Sequence, residues 1–215
     1  QRAADIPLKV EEGSADLGIS GLDRFLELRA EGGDSILVME DLGFGRCELV
    51  IGVPDSWVDV TSMGDLADLS IELRERGKEL RIATKYPRLV GRHLVRHGVN
   101  YFSLVQSSGT LEAAPAMGFA DVIADITSSG TTMRENRLKT LEDGTILASQ
   151  ACLIGNKRLL AQERSTCQET ESLLEHAEAY LRARDFFSIT ANIRGDSPEE
   201  VAAHVTQRPK VSGLK

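Results

Sequence analysis

The sequence predicts an α/β fold, and three observations carry that reading. Short runs of strand-forming residues alternate with stretches of helical periodicity along most of the chain. Helix ends are punctuated by Pro at an entry and Gly at exits. The 215 residues are 41% hydrophobic, yet no apolar run approaches the roughly twenty residues of a membrane helix. That composition supports a globular core in one large domain or two modest lobes.

Taken in order, the strand-like runs are "ADLGIS" (15–20), "SILVME" (35–40), "CELVIGVP" (47–54), "LRIAT" (80–84), "NYFSLV" (100–105), "ADVIAD" (120–125) and "TILASQACLIG" (145–155). Their alternation with helices predicts a largely parallel sheet or sheets. A helix over 64–76 places Leu66, Leu69 and Leu73 on one face and stops at Gly77, which can adopt the left-handed exit conformation. The next runs from Pro87 to Gly98, and a short one lies between Gly109 and Gly118. Beyond Gly155 the character changes. A long helix over 167–184 carries Leu173, Leu174, Ala177, Tyr180 and Leu181 as a stripe. A strand over 185–193 follows, then a helix with Ser197 at its N-cap and Pro198 at its first turn. This strand and helix are too little to enclose a core, so a second domain is expected to begin near 185.

The net charge of −8 and pI near 5.1 exclude an extended nucleic-acid surface, which needs a basic face to displace counterions. Cys47, Cys152 and Cys167 are odd in number and lack any C-x-x-C pair, which reads as reduced thiols of an intracellular compartment. Residues 1–20 show neither the apolar core of a signal peptide nor an Arg- and Ser-rich transit pattern. Both ends read as cut or processed. No phosphate-loop motif G-x-x-x-x-G-K-[ST] and no G-x-S-x-G elbow occurs.

The densest chemistry lies in "VIADITSSGTTMREN" (122–136). An apolar strand ends in Asp125, and Thr127, Ser128, Ser129, Gly130, Thr131 and Thr132 follow before a helix that begins near Thr131. The first amides of such a helix have no intrahelical acceptor and Gly130 permits close backbone approach, so the composition suits a phosphate. The alternative is a plain strand-to-helix turn whose hydroxyls only cap the helix. A carboxylate beside a phosphate cradle repels its ligand unless it serves another group, and sugar hydroxyls are the natural donors for Asp125. Glu112, thirteen residues upstream, can reach the mouth of the neighbouring strand. Two acids and a phosphate nest describe a phosphorylated ribose; either acid read alone is a solvated surface group. Lys85 and Tyr86 in "ATKYPRLV" stand at a strand end before a helix, a common place for ligand contacts in open sheets; a solvated Lys and a partly buried Tyr is the alternative. His93 and His97 have the i, i+4 spacing of a metal pair without the Glu of H-E-x-x-H, and read as ordinary imidazoles.

The run "GTLEAAPAMGFADVIADITSSGTTMREN", with "EEGSADLGISGLD", "DLGFGRCELVIGVP", "RIATKYP" and "SQACLI" in order, resembles the ATP phosphoribosyltransferase family, which opens histidine biosynthesis. The resemblance covers about residues 1 to 160. It implies a two-lobed catalytic core of the periplasmic-binding-protein type with mixed sheets, residues 1–60 with 155–184 forming one lobe and 61–154 the other. It implies that Asp125 to Met133 bind phosphoribosyl pyrophosphate (PRPP), that Glu112 and Asp125 hold the ribose hydroxyls, and that Mg²⁺ rides on the substrate pyrophosphate with no metal held by the protein itself. Asp41 and Phe44 in "DLGFG", together with Lys85 and Tyr86, would lie near ATP. A tight turn is the alternative for "DLGFG", which fails as a dinucleotide fingerprint because Glu48 stands where a Gly is required. The tail "FFSITANIRGDSPEEVAAHVTQRPKVSGL" resembles the opening of the ferredoxin-like α+β regulatory domain of long-form, plant-like enzymes. That implies histidine as feedback inhibitor, a homo-oligomer (dimer or hexamer) and plastid residence, with the cytoplasm as alternative. The family's first strand, its basic "SKGR"-like loop and most of the regulatory domain have no counterpart in the sequence, which implies a longer natural chain. The rival from another class is a non-catalytic small-molecule-binding or regulatory module on the same architecture.

Overall fold

The computed structural model describes residues 5–106, 111–162, 164–184, 186–187 and 197–206. Its strands are β1 (Leu17–Gly21), β2 (Ser35–Met39), β3 (Cys47–Pro54), β4 (Leu80–Thr84), β5 (Phe102–Gln106), β6 (Val122–Thr127), β7 (Leu138–Ser149) and β8 (Ala151–Asn156). Its helices are α1 (Ile6–Glu11), α2 (Leu22–Leu28), α3 (Met63–Glu75), α4 (Pro87–Arg96), α5 (Thr131–Glu135), α6 (Lys157–Gln162), α7 (Arg164–Ala183) and α8 (Pro198–Thr206). The strands form two sheets, one of three strands in the order β1-β8-β2 and one of five in the order β5-β4-β6-β3-β7.

Only the β4–β5 and β4–β6 pairings are parallel; β3 runs antiparallel to both of its neighbours, and the smaller sheet is antiparallel throughout. The expectation of largely parallel sheets is therefore corrected. Runs of Val, Ile and Leu mark a strand buried on both faces, but they carry no direction. Strand β3 shows this two-sided burial: Leu49, Ile51 and Val53 pack with Met63 and Leu66 of α3 and with Val90 and Leu94 of α4. Val50 faces the other way, into a cluster with Ala83, Leu111, Ile123 and Met133. In the smaller lobe Cys152 and Ile154 pack on Val10, Leu22 and Phe25. Each such side chain contributes on the order of 1.5–3 kcal/mol through removal from water.

The helix boundaries follow local chemistry. Ser62 and Asp65 close a capping box at the start of α3, Gly77 has φ +70 at its exit, Pro87 opens α4, and Gly98 has φ +79 just beyond it. At α8 the Ser197 hydroxyl accepts from the Glu200 amide at 3.2 Å. Of the strand expected over 185–193 only 186–187 are described, without strand structure; its other residues and the bracketing Gly109 lie outside the described residues. By contacts the chain divides into two compact units, Gln1–Ala177 and Glu178–Lys215, so the boundary falls within α7 rather than after it.

The run "TILASQACLIG" is two strands in two sheets. β7 ends at Ser149 in the larger, and β8 begins at Ala151 in the smaller. The chain also passes between the sheets at 40–46, and the two passages are bonded together: Leu42 N donates to Ala151 O at 2.9 Å and Ala151 N to Phe44 O at 3.0 Å. The lobe division expected near residue 60 accordingly shifts, because β3 joins the larger sheet. A hydrophobic pattern does not break where a strand changes partners, so the sequence could not show it.

Candidate active site

The candidate site lies at the ends of β4 and β6, adjacent parallel strands with Thr84 level with Ala124. Side chains alternate across a strand. Asp125 thus shares a face with Ile123, which belongs to the cluster containing Leu111 and Met133. The 3₁₀ turn Leu111–Ala113, which carries Glu112, and helix α5 cover this face. Asp125 is 6% exposed, and its Oδ1 accepts from the Ile126 amide at 2.9 Å. No donor among the described residues reaches its Oδ2. Burial raises its pKa above the ordinary carboxylate value, opposed by the Ile126 bond and the Lys85 charge and reinforced by the negative charge of Glu112. Asp125, Lys85 and Glu112 therefore share one electrostatic environment, and the structure brings together these three groups that the sequence could only suggest.

The loop after β6 is shaped by its own hydroxyls. Thr127 Oγ1 accepts from the Gly130 amide at 2.8 Å, which turns the chain so that Gly130 sits in the left-handed region at φ +68 as N-cap of α5. Ser129 Oγ donates to Thr131 Oγ1 at 3.0 Å. Ser128, Ser129, Thr131 and Thr132 are exposed. With only five residues, α5 is too short for a developed macrodipole, so its first amides act as individual donors.

Arg134, absent from the sequence-based expectations, reaches back over this loop. Its Nη2 donates to Ser129 O and to Thr131 Oγ1, each at 3.3 Å. A Cβ on Gly130 would stand 3.1 Å from its Nη1, so the glycine leaves room for the guanidinium as well as satisfying φ. The available signal was its position four residues beyond Gly130, one helical turn along the same face.

The residues expected near ATP separate into different environments. Lys85 is exposed, and among the described residues its ammonium has no hydrogen-bond or ion-pair partner. Tyr86 is 3% exposed within the core of the larger lobe, and its hydroxyl donates to Asp23 Oδ2 at 2.7 Å. Burial, then the Asp23 bond and charge, push its pKa far up, so it is a neutral interior group. Asp41 forms a tight turn, Oδ1 accepting from the Gly43 amide at 2.7 Å and Oδ2 pairing with Arg46 at 2.9 Å. Phe44 is 56% exposed beside the passage between sheets.

A family model described as HisG, ATP phosphoribosyltransferase, matches residues 2–178. The chain belongs to the ATP phosphoribosyltransferase family. ATP phosphoribosyltransferase 1, chloroplastic, of Arabidopsis thaliana is 40% identical over 217 residues, covering 100% of this chain and 52% of its own length. The chain thus spans about half the length of that relative. ATP phosphoribosyltransferase of Brucella anthropi is 46% identical over 166 residues, or 76% of this chain and 72% of that protein. Among solved structures, the ATP phosphoribosyl transferase (HisG:HisZ) complex of Thermotoga maritima matches with a TM-score of 0.65 and 25% identity, over 85% of this chain and 78% of that one. The alkanesulfonate-binding protein SsuA of Xanthomonas axonopodis pv. citri matches with a TM-score of 0.50 and 21% identity, over 83% and 61%. SsuA shares the fold alone, and with it the two-lobed binding-protein architecture that the sequence implied. Within that architecture, the chain carries its exposed hydroxyl loop, Arg134, Lys85 and the half-satisfied Asp125 on one lobe.

Proposed function

We propose that this chain carries the catalytic core of an ATP phosphoribosyltransferase that joins PRPP to N1 of ATP, giving phosphoribosyl-ATP and pyrophosphate, the first step of L-histidine biosynthesis. The observation that carries the reading is Asp125: a buried carboxylate with one oxygen unclaimed by any described donor, beside a hydroxyl loop crossed by a guanidinium. A ribose diol supplies donors for the acid, and its 5′-phosphate supplies acceptors for the loop. Neither a lone anion nor a lone sugar uses both.

The reaction needs little covalent help from the protein. The adenine N1 lone pair forms a bond to C1 of the ribose as the bond from C1 to the pyrophosphate oxygen breaks, and the electron pair leaves with pyrophosphate. Positive charge grows on the sugar in between. Glu112 and Asp125 orient the hydroxyls and favour that cation, while Thr127 to Thr132 and Arg134 hold the phosphate, so catalysis is positioning and electrostatic stabilisation. A helix terminus alone is worth about 0.3–2 kcal/mol to an anion, and Arg134 and Lys85 are the cations that add to it.

Among the described residues no three His, Cys, Asp or Glu side chains converge into a metal cage. Asp125 and Glu112 are hard oxygen donors, one or two of which suit an Mg²⁺ that keeps its waters and phosphate oxygens. An Mg²⁺ carried on the substrate pyrophosphate would neutralise that group as it departs.

Plastid residence, histidine feedback and a homo-oligomer complete the proposal. Chloroplastic relatives support the first. The Thermotoga HisG:HisZ complex supports assembly of some kind. The test is pyrophosphate release by the full-length protein with ATP, PRPP and Mg²⁺. Release that requires all three and is inhibited by histidine is expected. No release with the complete mixture overturns the proposal.

A further inference from the structure

We infer that Asp23 is a positioning residue for the phosphoribosyl site: from the smaller lobe it sets, through the Tyr86 hydroxyl, where Lys85 and Asp125 of the larger lobe stand. The inference rests on the proposed reading of Asp125 as the acid that holds the ribose.

Asp23 lies in the first turn of α2, which directly follows β1, and is 4% exposed. Its two oxygens go to two different elements of the other lobe. Oδ2 accepts from Tyr86 Oη at 2.7 Å, and Oδ1 accepts from Ser149 Oγ at 2.6 Å. The Asp23 amide donates back to Ser149 Oγ at 3.0 Å, and the Leu22 amide donates to Gln150 O at 2.9 Å. The start of α2 is therefore fastened to the residues where β7 gives way to β8.

From Tyr86 the connection continues into the site. The Tyr86 amide donates to Thr84 Oγ1 at 3.0 Å, and Thr84 Oγ1 donates to Ala124 O at 2.8 Å. Lys85 lies between the first two of these residues, and Asp125 directly follows the third. Arg24, next to Asp23, donates from Nη1 to the Lys85 carbonyl at 3.4 Å, with its guanidinium carbon 5.5 Å from the Tyr86 ring centroid. Both site-bearing strand ends are thus held by one short hydrogen-bonded chain whose far end is in the other lobe. A buried hydrogen-bonded network of this kind favours a single geometry, although Arg24 Nε at its edge has no hydrogen-bond partner among the described residues.

A second contact keeps the two helices in register. Glu27 of α2 accepts from the Arg88 and Leu89 amides at the start of α4, each at 2.9 Å. Arg88 in turn donates to the Leu26 and Arg29 carbonyls at the end of α2. Each helix end receives the charge its unpaired groups favour.

Gly21 supplies a way to disturb Asp23 without changing it. The glycine has an ordinary φ of −72, yet a Cβ there would stand 2.5 Å from Asp23 Oδ1. The experiment measures kcat and the KM for PRPP in full-length protein, well below the melting temperature, for wild type, Tyr86→Phe, Gly21→Ala, Asp23→Asn and Asp23→Ala. Tyr86→Phe and Gly21→Ala are expected to lower kcat/KM for PRPP about tenfold, since small misplacements near a reacting centre are costly. Asp23→Asn, which keeps the shape and one acceptor, should recover most of the activity lost in Asp23→Ala. Lower melting temperatures with wild-type kcat/KM in Tyr86→Phe and Gly21→Ala would show a purely structural joint and overturn the inference while leaving the proposed function intact. An inactive wild-type protein would overturn both. Should Tyr86→Phe fail to fold, Gly21→Ala decides the question by the same criterion.

Discussion

Asp23 and Asp125 are both buried, at 4% and 6% exposure, yet the fold treats them differently. Asp23 has a hydroxyl donor on each oxygen. Asp125 has a backbone amide on one oxygen and no described donor on the other. Burying a carboxylate is costly unless hydrogen bonds compensate, so the first is a joint and the second is held ready for donors that the described residues do not supply. Asp125 also carries the raised pKa expected when compensation is incomplete.

The largest expected effect tests that contrast at Asp125. Because its folded pKa is raised, its favourable contribution to stability is complete below the ordinary value of 3.8 and is lost as the pH rises through the raised value. Asp125→Asn removes that penalty. The melting temperature at neutral pH should hold or rise while pyrophosphate release falls roughly a hundredfold. A less stable variant with an unchanged rate would reverse the roles assigned to the two acids.

Glu27 sharpens the comparison as a second satisfied carboxylate, 7% exposed, with both oxygens on α4 amides. Glu27→Ala leaves those amides without their cap and should cost about 1–3 kcal/mol, read as a shift of the urea midpoint. A midpoint equal to wild type would show that the α2–α4 contact contributes nothing to the fold.

The smallest expected effect concerns His93, where the rule could break. Its Nε2 is buried without a hydrogen-bond partner among the described residues, but nothing else marks a site. Burial lowers its pKa, helped by His97 and Arg96 and opposed by Asp143. The stability tied to its neutral form is therefore present above the ordinary 6.5 and lost as the pH falls through the lowered folded value. His93→Leu should flatten the acid side of a melting-temperature profile by roughly a degree or two, with turnover unchanged. Lost turnover would place His93 in a site and extend the rule from carboxylates to imidazoles.

Much of this was legible in the sequence because it depends on neighbours along the chain. The Ser197 cap, the exits at Gly77 and Gly98, the strand leading to Asp125 and the loop through Gly130 are all local patterns. What escaped depends on distant partners. Nothing local in "GLDRFLEL" marks its acids as buried: Asp23 meets Tyr86 and Ser149, and Glu27 the start of α4, only in the folded chain. Tyr86 stood where ligands often bind, but its hydroxyl found Asp23, 63 residues away in sequence. Arg134 was overlooked because a basic residue in a helix's last turn is ordinarily a surface group.

The placement of β8 matters before the protein is ever folded. It is the middle strand of the smaller sheet, and both of its partners are made more than a hundred residues earlier. At about 5–20 residues per second, a ribosome needs on the order of ten seconds to bridge that interval. Throughout it β1 and β2 have no strand to pair with, and their apolar edges stay open to other nascent chains. Chaperone dependence during synthesis should therefore concentrate on residues 17–39, the first part of the sheet to be translated and among the last to be completed.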